Sequence, residues 1–417
     1  MYEAGLVQSS NLQNNLFFGE LSLNGTIRPV RGIVGKLIAA KNFNKRACVI
    51  PYKNLSQAQL VPGMQILACK NLKELYQLLS GIKPAEVQST KKIQNNPNIE
   101  ISQYLDINEV SGQIRAKRAL EIAAAGNHNI LLAGPPGTGK SMLAKVLPGI
   151  LPKMDQAETL DVTQIHSLAN RNFDQIVHTR PFRAPHHSSS HTAIVGGGQN
   201  PKPGEVSLAH CGILFLDELP EFSRTTLESL RQPLEDKFVT ISRTKESVIY
   251  PADFLLVATA NPCPCGYYGT SKGCSCSAAT IVKYQQKLSG PILDRIDMYI
   301  EVDDVKHRNL LDKKHGESSF EIQKRVSAAR SLQYNRSGGR LNANLSNAQI
   351  KKHLALTSEA LELLNKAAEK LNISARSYMK ILKVARTIAD LDSSKNVKEA
   401  HVGEAVQYRR NNNKQII

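Results

Sequence analysis

Apolar and polar positions follow two different periods along this chain of 417 residues. Between residues 16 and 82, short apolar runs alternate with turn residues and one helical segment, which predicts a small α/β unit. From 101 to about 303, apolar strand-like runs alternate with helical segments, the pattern of a parallel α/β sheet. Beyond residue 304 the apolar positions recur at helical spacing without a strand pattern.

These patterns predict four segments. We place an α/β domain at 1–84, a linker at 85–100, an α/β core at 101–303 and a helical domain at 304–417. The linker is polar and aperiodic, which is typical of chain that joins folded units. The predicted fold class is therefore α/β, with a helical domain at the carboxyl end.

A glycine-rich segment lies between an apolar run and a helical segment. It reads GPPGTGKS and matches the pattern of a P-loop, whose backbone N–H groups and helix dipole bind phosphate. Lys140 is placed to contact the β and γ phosphates of ATP, and Ser141 to bind Mg²⁺. The predicted nucleotide-binding residues of this loop are Gly134, Pro135, Pro136, Gly137, Thr138, Gly139, Lys140 and Ser141.

A second apolar run, GILFLDE, ends in two acidic residues about 80 positions after the P-loop. This is a Walker B signature. Asp217 is predicted to hold Mg²⁺, directly or through water. Glu218 is predicted to act as the general base that polarises the attacking water.

The charge balance points to a polyanionic partner. Lys and Arg number 53 against 36 Asp and Glu, which gives a formal net charge of +17. Such an excess most often indicates nucleic acid binding. No apolar run is long enough to span a membrane, and the amino terminus lacks the features of a signal peptide, so we expect a cytoplasmic protein without a membrane partner.

Four of the seven cysteines fall in one loop, in two C-x-C pairs. Clustered thiols in a reduced chain are typical of tetrahedral metal ligation, with zinc as the usual ion. A free thiol cluster and a redox disulfide are the alternatives, because the pairs are tighter than common zinc-binding spacings. The predicted ligands are Cys263, Cys265, Cys274 and Cys276.

Four segments, at 183–189, 204–222, 261–266 and 288–297, resemble the YifB/ComM-type magnesium-chelatase-like AAA+ ATPases. The resemblance extends from about residue 16 to 410. It implies an AAA+ fold with a helical lid, and a homo-hexamer. It also implies catalytic roles for Asn261 as sensor 1, for Arg295 as an arginine finger acting on the neighbouring subunit, and for Arg376 as sensor 2.

The resemblance also implies two insertions that face the central pore of the ring. One is a loop at 163–204, which contains Arg183, and the other is a β-hairpin at 238–252. Arg243 and Lys245 at the hairpin tip would contact a phosphate backbone without reading bases, whereas a solvated tip is the alternative. The expected partner is single-stranded or branched DNA.

The amino-terminal segment resembles the second half of a Lon-protease-like domain. Lys36 stands where a Lon-type catalytic lysine would lie, but the serine half of that domain is not found upstream. A Ser–Lys dyad needs both partners, so peptidase activity is not expected. We interpret the chain as a family member with a shortened amino-terminal domain.

The sequence is compatible with three functions. The first is an ATP-hydrolysing hexameric motor on DNA, which the resemblance links to branch migration in recombination during natural transformation. The second is a magnesium-chelatase-type motor subunit that drives metal insertion into a porphyrin, and the third is a peptidase-like or chaperone scaffold. The net charge and the four-cysteine loop favour the first, and stimulation of ATP turnover by DNA would distinguish it.

Overall fold

The computed structural model describes residues 6–7, 15–45, 47–82, 104–169, 174–199, 201–242, 247–288, 290–303 and 316–409. They fall into two compact units. The first draws on 1–99, 154–179 and 198–204, and the second on 100–153, 180–197 and 205–417. The boundaries predicted from sequence at 84, 100 and 303 stay predictions.

Strands and helices are numbered here in chain order over the described residues. The strands are β1 (Asn15–Phe17), β2 (Glu20–Leu21), β3 (Ile27–Arg28), β4 (Ala47–Pro51), β5 (Gln65–Cys69), β6 (Ile130–Ala133), β7 (Phe182–Arg183), β8 (Gly196–Gly197), β9 (Lys202–Pro203), β10 (Ile213–Leu216), β11 (Phe238–Ser242), β12 (Ser247–Pro251), β13 (Leu255–Ala260) and β14 (Met298–Glu301). The helices are α1 (Ile33–Asn42), α2 (Leu55–Ala58), α3 (Leu72–Leu79), α4 (Ile114–Gly126), α5 (Lys140–Ile150), α6 (Gln156–Ala169), α7 (His191–Val195), α8 (Glu205–Leu208), α9 (Arg224–Ser229), α10 (Arg231–Asp236), α11 (Ala278–Lys287), α12 (Gly290–Leu293), α13 (Ser319–Ser337), α14 (Asn347–His353), α15 (Ser358–Lys370), α16 (Ala375–Leu391) and α17 (Glu399–Gln407).

The first unit contains a three-stranded parallel sheet in the order β1-β4-β5. Helix α1 buries its apolar side in the core of this unit together with residues of β4 and β5. Helix α6 approaches α1 at Gly32, where an added Cβ would lie 2.9 Å from Cδ2 of Leu168. Lys36 lies exposed on α1 and donates a 2.6 Å hydrogen bond to the backbone oxygen of Arg31. The α/β character predicted for this part of the chain is confirmed.

The second unit is organised by a five-stranded sheet in the order β14-β6-β13-β10-β7, in which every neighbouring pair is parallel. Strands β6, β13 and β10 are buried at every position. Burial on both faces explains their unbroken apolar sequences. The predicted parallel sheet is therefore confirmed, and its strands all point towards one side, called here the carboxyl edge; the opposite side is the amino edge.

The carboxyl-terminal region is helical, as predicted, and it shares one apolar core with the sheet. Helix α13 packs against α4 and α5, and α16 packs against α4 and α17. The shared core includes Leu120, Ile130, Leu143, Val257, Val326, Ile381 and Val402. Among the described residues, no helix combines the length and the apolar run that a bilayer crossing requires.

Strands β11 and β12 pair in antiparallel register, from Phe238 with Pro251 to Ser242 with Ser247. The predicted hairpin is therefore confirmed. Its tip residues Arg243 and Lys245 lie outside the described residues. A single residue, Lys237, lies between the end of helix α10 and the start of β11.

Candidate functional site

The predicted P-loop connects the carboxyl edge of β6 to the first residue of α5. At Gly134 an added Cβ would lie 2.2 Å from the backbone oxygen of Val302, so no side chain fits there. Gly137 and Gly139 have φ angles of +87° and +86°, conformations that favour glycine. The glycines of the motif are thus required by the backbone path of this loop.

Lys140 is buried, and its ammonium group points back into the loop. Nζ donates hydrogen bonds of 2.7 Å and 2.6 Å to the backbone oxygens of Gly134 and Pro135. The loop of a P-loop protein surrounds the β and γ phosphates, which its lysine contacts. The structure therefore places the lysine charge inside the loop, and its contact with phosphates stays a prediction.

Asp217 follows β10 and is held by two hydroxyl groups. Ser141 donates a 3.0 Å hydrogen bond to Oδ2, and Thr259 donates a 2.5 Å hydrogen bond to Oδ1. Thr259 lies on β13 and is buried, so the sheet itself fixes the direction of this carboxylate. Ser141 and Asp217, the two predicted Mg²⁺ ligands, are thereby brought together.

Glu218 and Asn261 complete the carboxyl edge. The backbone N–H of Glu218 donates a 2.9 Å hydrogen bond to Thr259 Oγ1, and its φ angle of +54° turns the chain sharply away from β10. Asn261 directly follows β13, which pairs with both β6 and β10. The structure therefore brings the predicted P-loop, Walker B and sensor 1 residues to the same edge of the sheet.

Arg295 lies at the opposite edge. The side-chain amide of Asn129, which directly precedes β6, donates a 3.0 Å hydrogen bond to the backbone oxygen of Arg295. The four residues of β6 separate this point from the P-loop, and at the usual rise of a strand that distance is roughly 13 Å. The structure therefore does not bring Arg295 to the P-loop of its own chain.

Asp297 anchors the segment that carries Arg295. Its Oδ1 lies 2.9 Å from Nζ of Lys380, and its Oδ2 accepts a 3.1 Å hydrogen bond from the backbone N–H of Asn129. Burial alone would raise the pKa of Asp297, but the nearby Lys380 charge and His128 hold it well below its usual range. The ion pair fixes the start of β14 to helix α16, on which Lys380 lies.

The two predicted catalytic arginines meet at one carboxylate. Oε1 of Glu235, on α10, accepts a 2.5 Å hydrogen bond from Nη2 of Arg295 and a 2.7 Å hydrogen bond from Nη2 of Arg376. Hydrogen bonds from Arg295 and Arg376 lower the pKa of Glu235. Arg376, near the start of α16, also lies 3.8 Å from Asp294. The arginines thus lie together and away from the P-loop.

The four-cysteine loop forms a compact sulfur cluster. The Sγ atoms of Cys263, Cys265 and Cys274 are 3.3 to 3.7 Å apart, and all four thiols, including Cys276, lie within 4.8 Å of one another. A tetrahedral zinc site with Zn–S bonds of about 2.3 Å separates its sulfurs by about 3.8 Å. The observed distances between the sulfur atoms therefore fit tetrahedral coordination of an ion the size of zinc.

The cysteine loop also packs against the P-loop. Gly266 has a φ angle of +84°, and an added Cβ would lie 2.6 Å from Cδ of Pro136. The backbone N–H of Tyr267 and the side chain of Cys263 donate hydrogen bonds that lower the pKa of Cys265 to about 5. Beside the contact of Gly266 with Pro136, both loops line a cavity of about 210 Å³. Its lining consists of Ala133 to Pro135, Pro262, Tyr268 to Ser271, and Glu301 to Asp303.

The structure differs from the bounds predicted for the insertion at 163–204, whose pore-facing position stays a prediction. Helix α6 continues to Ala169, and Phe182 and Arg183 form the edge strand β7 of the five-stranded sheet. The Arg183 side chain donates hydrogen bonds of 2.6 and 2.7 Å to the two carboxylate oxygens of Glu205. A basic residue in this range therefore pairs with an acid of its own chain, which the sequence pattern did not indicate.

Two residues of the site were missed at the sequence level. Thr259 is a polar residue inside an otherwise apolar strand, two positions before Asn261, and this signal could have identified it. Glu235 offers no such signal, because a single acid on a surface helix is ordinary. Its contact with two distant arginines exists only in the folded chain.

Comparison with known proteins agrees with this geometry. Residues 106–310 match the family model described as Magnesium chelatase, subunit ChlI, and residues 316–409 match its C-terminal model. Residues 2–54 match a model described as Subunit ChlI of Mg-chelatase. Together these models account for most of the described residues.

Individual relatives give the same result. The chain is 41% identical over 406 residues to Competence protein ComM of Haemophilus influenzae, covering 97% of this chain and 79% of the relative. It is 41% identical over 396 residues to the uncharacterized protein YifB of Escherichia coli, covering 94% and 76%. A 59-residue segment, 14% of this chain, is 41% identical to Lon protease 2 of Bacillus subtilis, of which it covers 10%. The chain belongs to the ComM/YifB-type family of magnesium-chelatase-like AAA+ proteins.

Proposed function

We propose that this chain is an ATP-hydrolysing AAA+ motor that works on DNA as a homo-hexamer. The observation that carries the proposal is the carboxyl edge of β6, β13 and β10, where Lys140, Ser141, Asp217 and Glu218 converge. Phosphoryl transfer depends mainly on positioning and charge stabilisation, and these residue types supply both.

Each residue has a task that follows from its contacts. Lys140 would exchange the loop carbonyl oxygens for oxygens of the β and γ phosphates. Ser141 and Asp217 offer the oxygen ligands that Mg²⁺ prefers, and an ion held there with ATP would neutralise phosphate charge. Glu218 would accept the proton of the attacking water, and the Asn261 amide would hold that water.

The amino-edge arginines support a ring. Arg295 lies beyond the far end of β6 from its own P-loop, and Arg376 shares its carboxylate partner. A neighbouring subunit that brings its nucleotide to this edge would receive both positive charges. In that arrangement the arginines stabilise the charge that develops on the phosphates during transfer.

The cysteine cluster is proposed to hold a structural zinc ion. Four thiols within 4.8 Å of one another match the ligand set and the size of a closed tetrahedral site. With no further position open, zinc would serve to fix the loop rather than to take part in the reaction.

DNA is proposed as the substrate on two grounds. The formal charge of +17 favours a polyanion, and the relative from Haemophilus influenzae is named a competence protein. Branch migration in recombination during natural transformation is the corresponding activity. The confirmed β11-β12 hairpin supports the expected DNA contact, although its tip lies outside the described residues.

The deciding experiment measures ATP turnover without DNA, with single-stranded DNA and with branched DNA, using Lys140→Ala as the background. We expect turnover that DNA stimulates. A magnesium-chelatase-type motor is the second candidate, favoured by the family models; it predicts turnover that is indifferent to DNA. Turnover no higher than that of Lys140→Ala under all conditions would contradict both.

A further inference from the structure

Glu235 connects two arginines that come from distant parts of the chain. Arg295 lies in the segment before β14, and Arg376 lies in the first turn of α16. Their Nη2 atoms approach the same oxygen atom, Oε1, at 2.5 and 2.7 Å. Two guanidinium groups this close repel each other, and a shared carboxylate offsets that repulsion.

The helix that carries Glu235 is itself held in place. Gln232, also on α10, accepts a 3.3 Å hydrogen bond from the backbone N–H of Thr240 and donates a 3.4 Å hydrogen bond to its hydroxyl. Lys237, at the end of α10, pairs with Asp253 at 3.2 Å. The backbone at Glu235 is therefore fixed by contacts of residues before and after it in the sequence.

Its exposure indicates that the Glu235 carboxylate orients the two arginine side chains more than it stabilises the fold. Side-chain exposure is 45% for Glu235 and 47% for Arg376, but 10% for Arg295. The pair of Glu235 with Arg376 is exposed on both sides, and exposed ion pairs contribute little to stability. A guanidinium is planar and rigid, so a carboxylate on one side fixes the direction that the whole group faces.

We propose that Glu235 is a positioning residue that holds Arg295 and Arg376 as one cationic pair directed at the same neighbouring nucleotide. The proposal rests on the proposed role of these arginines in ATP hydrolysis. It adds that neither arginine is placed correctly unless the carboxylate is present. Without the negative charge of Glu235, Arg295 and Arg376 would contact the neighbouring nucleotide less often and in a less productive geometry.

The test compares Glu235→Gln with Glu228→Gln. Glu228, on the preceding helix α9, is a matched control. Its carboxylate pairs with Arg231 at 2.8 Å, and within the described residues it contacts neither Arg295 nor Arg376. Glu235→Gln should lower kcat about tenfold, since small errors in position cost this much, and should leave the nucleotide Kd and the Tm unchanged. Glu228→Gln should behave as the parent.

Arg295→Ala and Arg376→Ala, measured beside them, separate the possible failures. If Arg295→Ala loses turnover while Glu235→Gln keeps the parent rate, the positioning role is wrong and the function stands. If Arg295→Ala turns over as the parent does, the arginine finger fails and the inference fails with it. A fall in Tm or nucleotide affinity that matches the fall in kcat would assign Glu235 a structural role instead.

A double variant adds an independent readout. If the carboxylate acts through Arg376 as well as Arg295, the effects of Glu235→Gln and Arg376→Ala should not add, because both remove parts of one arrangement. Simple multiplication of the two losses in kcat would contradict a shared arrangement.

Discussion

The hydroxyl of Thr259 donates a 2.5 Å hydrogen bond to Oδ1 of Asp217, from a buried position inside strand β13. Oγ1 of Thr259 also accepts a 2.9 Å hydrogen bond from the backbone N–H of Glu218. One hydroxyl thus connects both acids of the Walker B motif to strand β13, which ends directly before Asn261.

We therefore expect Thr259→Val to lower kcat about tenfold, because a displaced carboxylate places the reacting groups less well. Thr259→Ser keeps the hydroxyl and should retain most of the activity. Steady-state ATP turnover, with Tm as a check on folding, measures both variants. A loss of activity in Thr259→Ser together with parent-like activity in Thr259→Val would mean that packing of the methyl group, and not the hydrogen bond, is what matters.

Lys140→Ala and Glu218→Gln should separate binding from hydrolysis. The first removes the loop's cationic side chain and should abolish nucleotide binding, whereas the second should bind ATP and fail to hydrolyse it. A fluorescent ATP analogue reports binding, and phosphate release reports turnover. Lys145→Ala, an exposed lysine of the same helix, is the matched control and should resemble the parent. Parent-like turnover by Glu218→Gln would exclude Glu218 as the base.

Arg295→Ala should lose hydrolysis and keep nucleotide affinity, because a finger acts mainly in the transition state. Mixing this variant with Lys140→Ala should restore part of the activity, since some interfaces in a mixed ring combine an intact P-loop with an intact finger. The readout is turnover across mixing ratios, with mixed rings verified by subunit tags. Verified mixed rings that stay inactive at every ratio would count against action between subunits.

The protein purified without chelator should contain about one zinc per chain. Cys274→Ser should lose it, whereas Cys211→Ser, outside the loop, should keep it. Elemental analysis together with thiol titration measures this. Less than roughly a tenth of an equivalent in parent protein with reduced thiols would exclude the zinc site.

DNA binding should be tolerant of sequence and weakened by salt. Log affinity should fall linearly with log salt, by ~0.7 per phosphate contact on single strands. Replacing Arg243 and Lys245 by Ala should flatten that slope and lower DNA-stimulated turnover more than basal turnover. Lys366 and Lys370 on α15, replaced together, remove the same charge elsewhere and serve as the control. A slope that equals that of the parent would remove the hairpin from the DNA path.

The sequence predicted the local parts of this site well. The P-loop, the strand that ends at Asp217 and the β11-β12 hairpin each depend on neighbouring residues, whose pattern is visible in one dimension. The order of the five strands was not predictable, because parallel strands are joined by long crossings that several orders satisfy. Contacts such as Thr259 with Asp217 follow from that order and were missed with it.

The remaining differences have a similar cause. Arg183 forms part of an edge strand and pairs with Glu205, and the pore-facing position of the insertion that contains it stays a prediction. Glu235 carries no signal in the sequence, although it contacts both predicted catalytic arginines. In both cases the sequence does not indicate which acidic residue pairs with a given arginine. Residues of opposite charge that are distant in sequence show no pattern that identifies them as partners.

Only Lys237 lies between helix α10 and strand β11, and the side chain of Gln232 forms hydrogen bonds with Thr240 that connect the helix to the strand. A displacement of the hairpin strands would therefore also displace the carboxylate of Glu235. In the proposed ring, a load on the hairpin of one subunit would then change how fast the adjoining subunit hydrolyses its nucleotide.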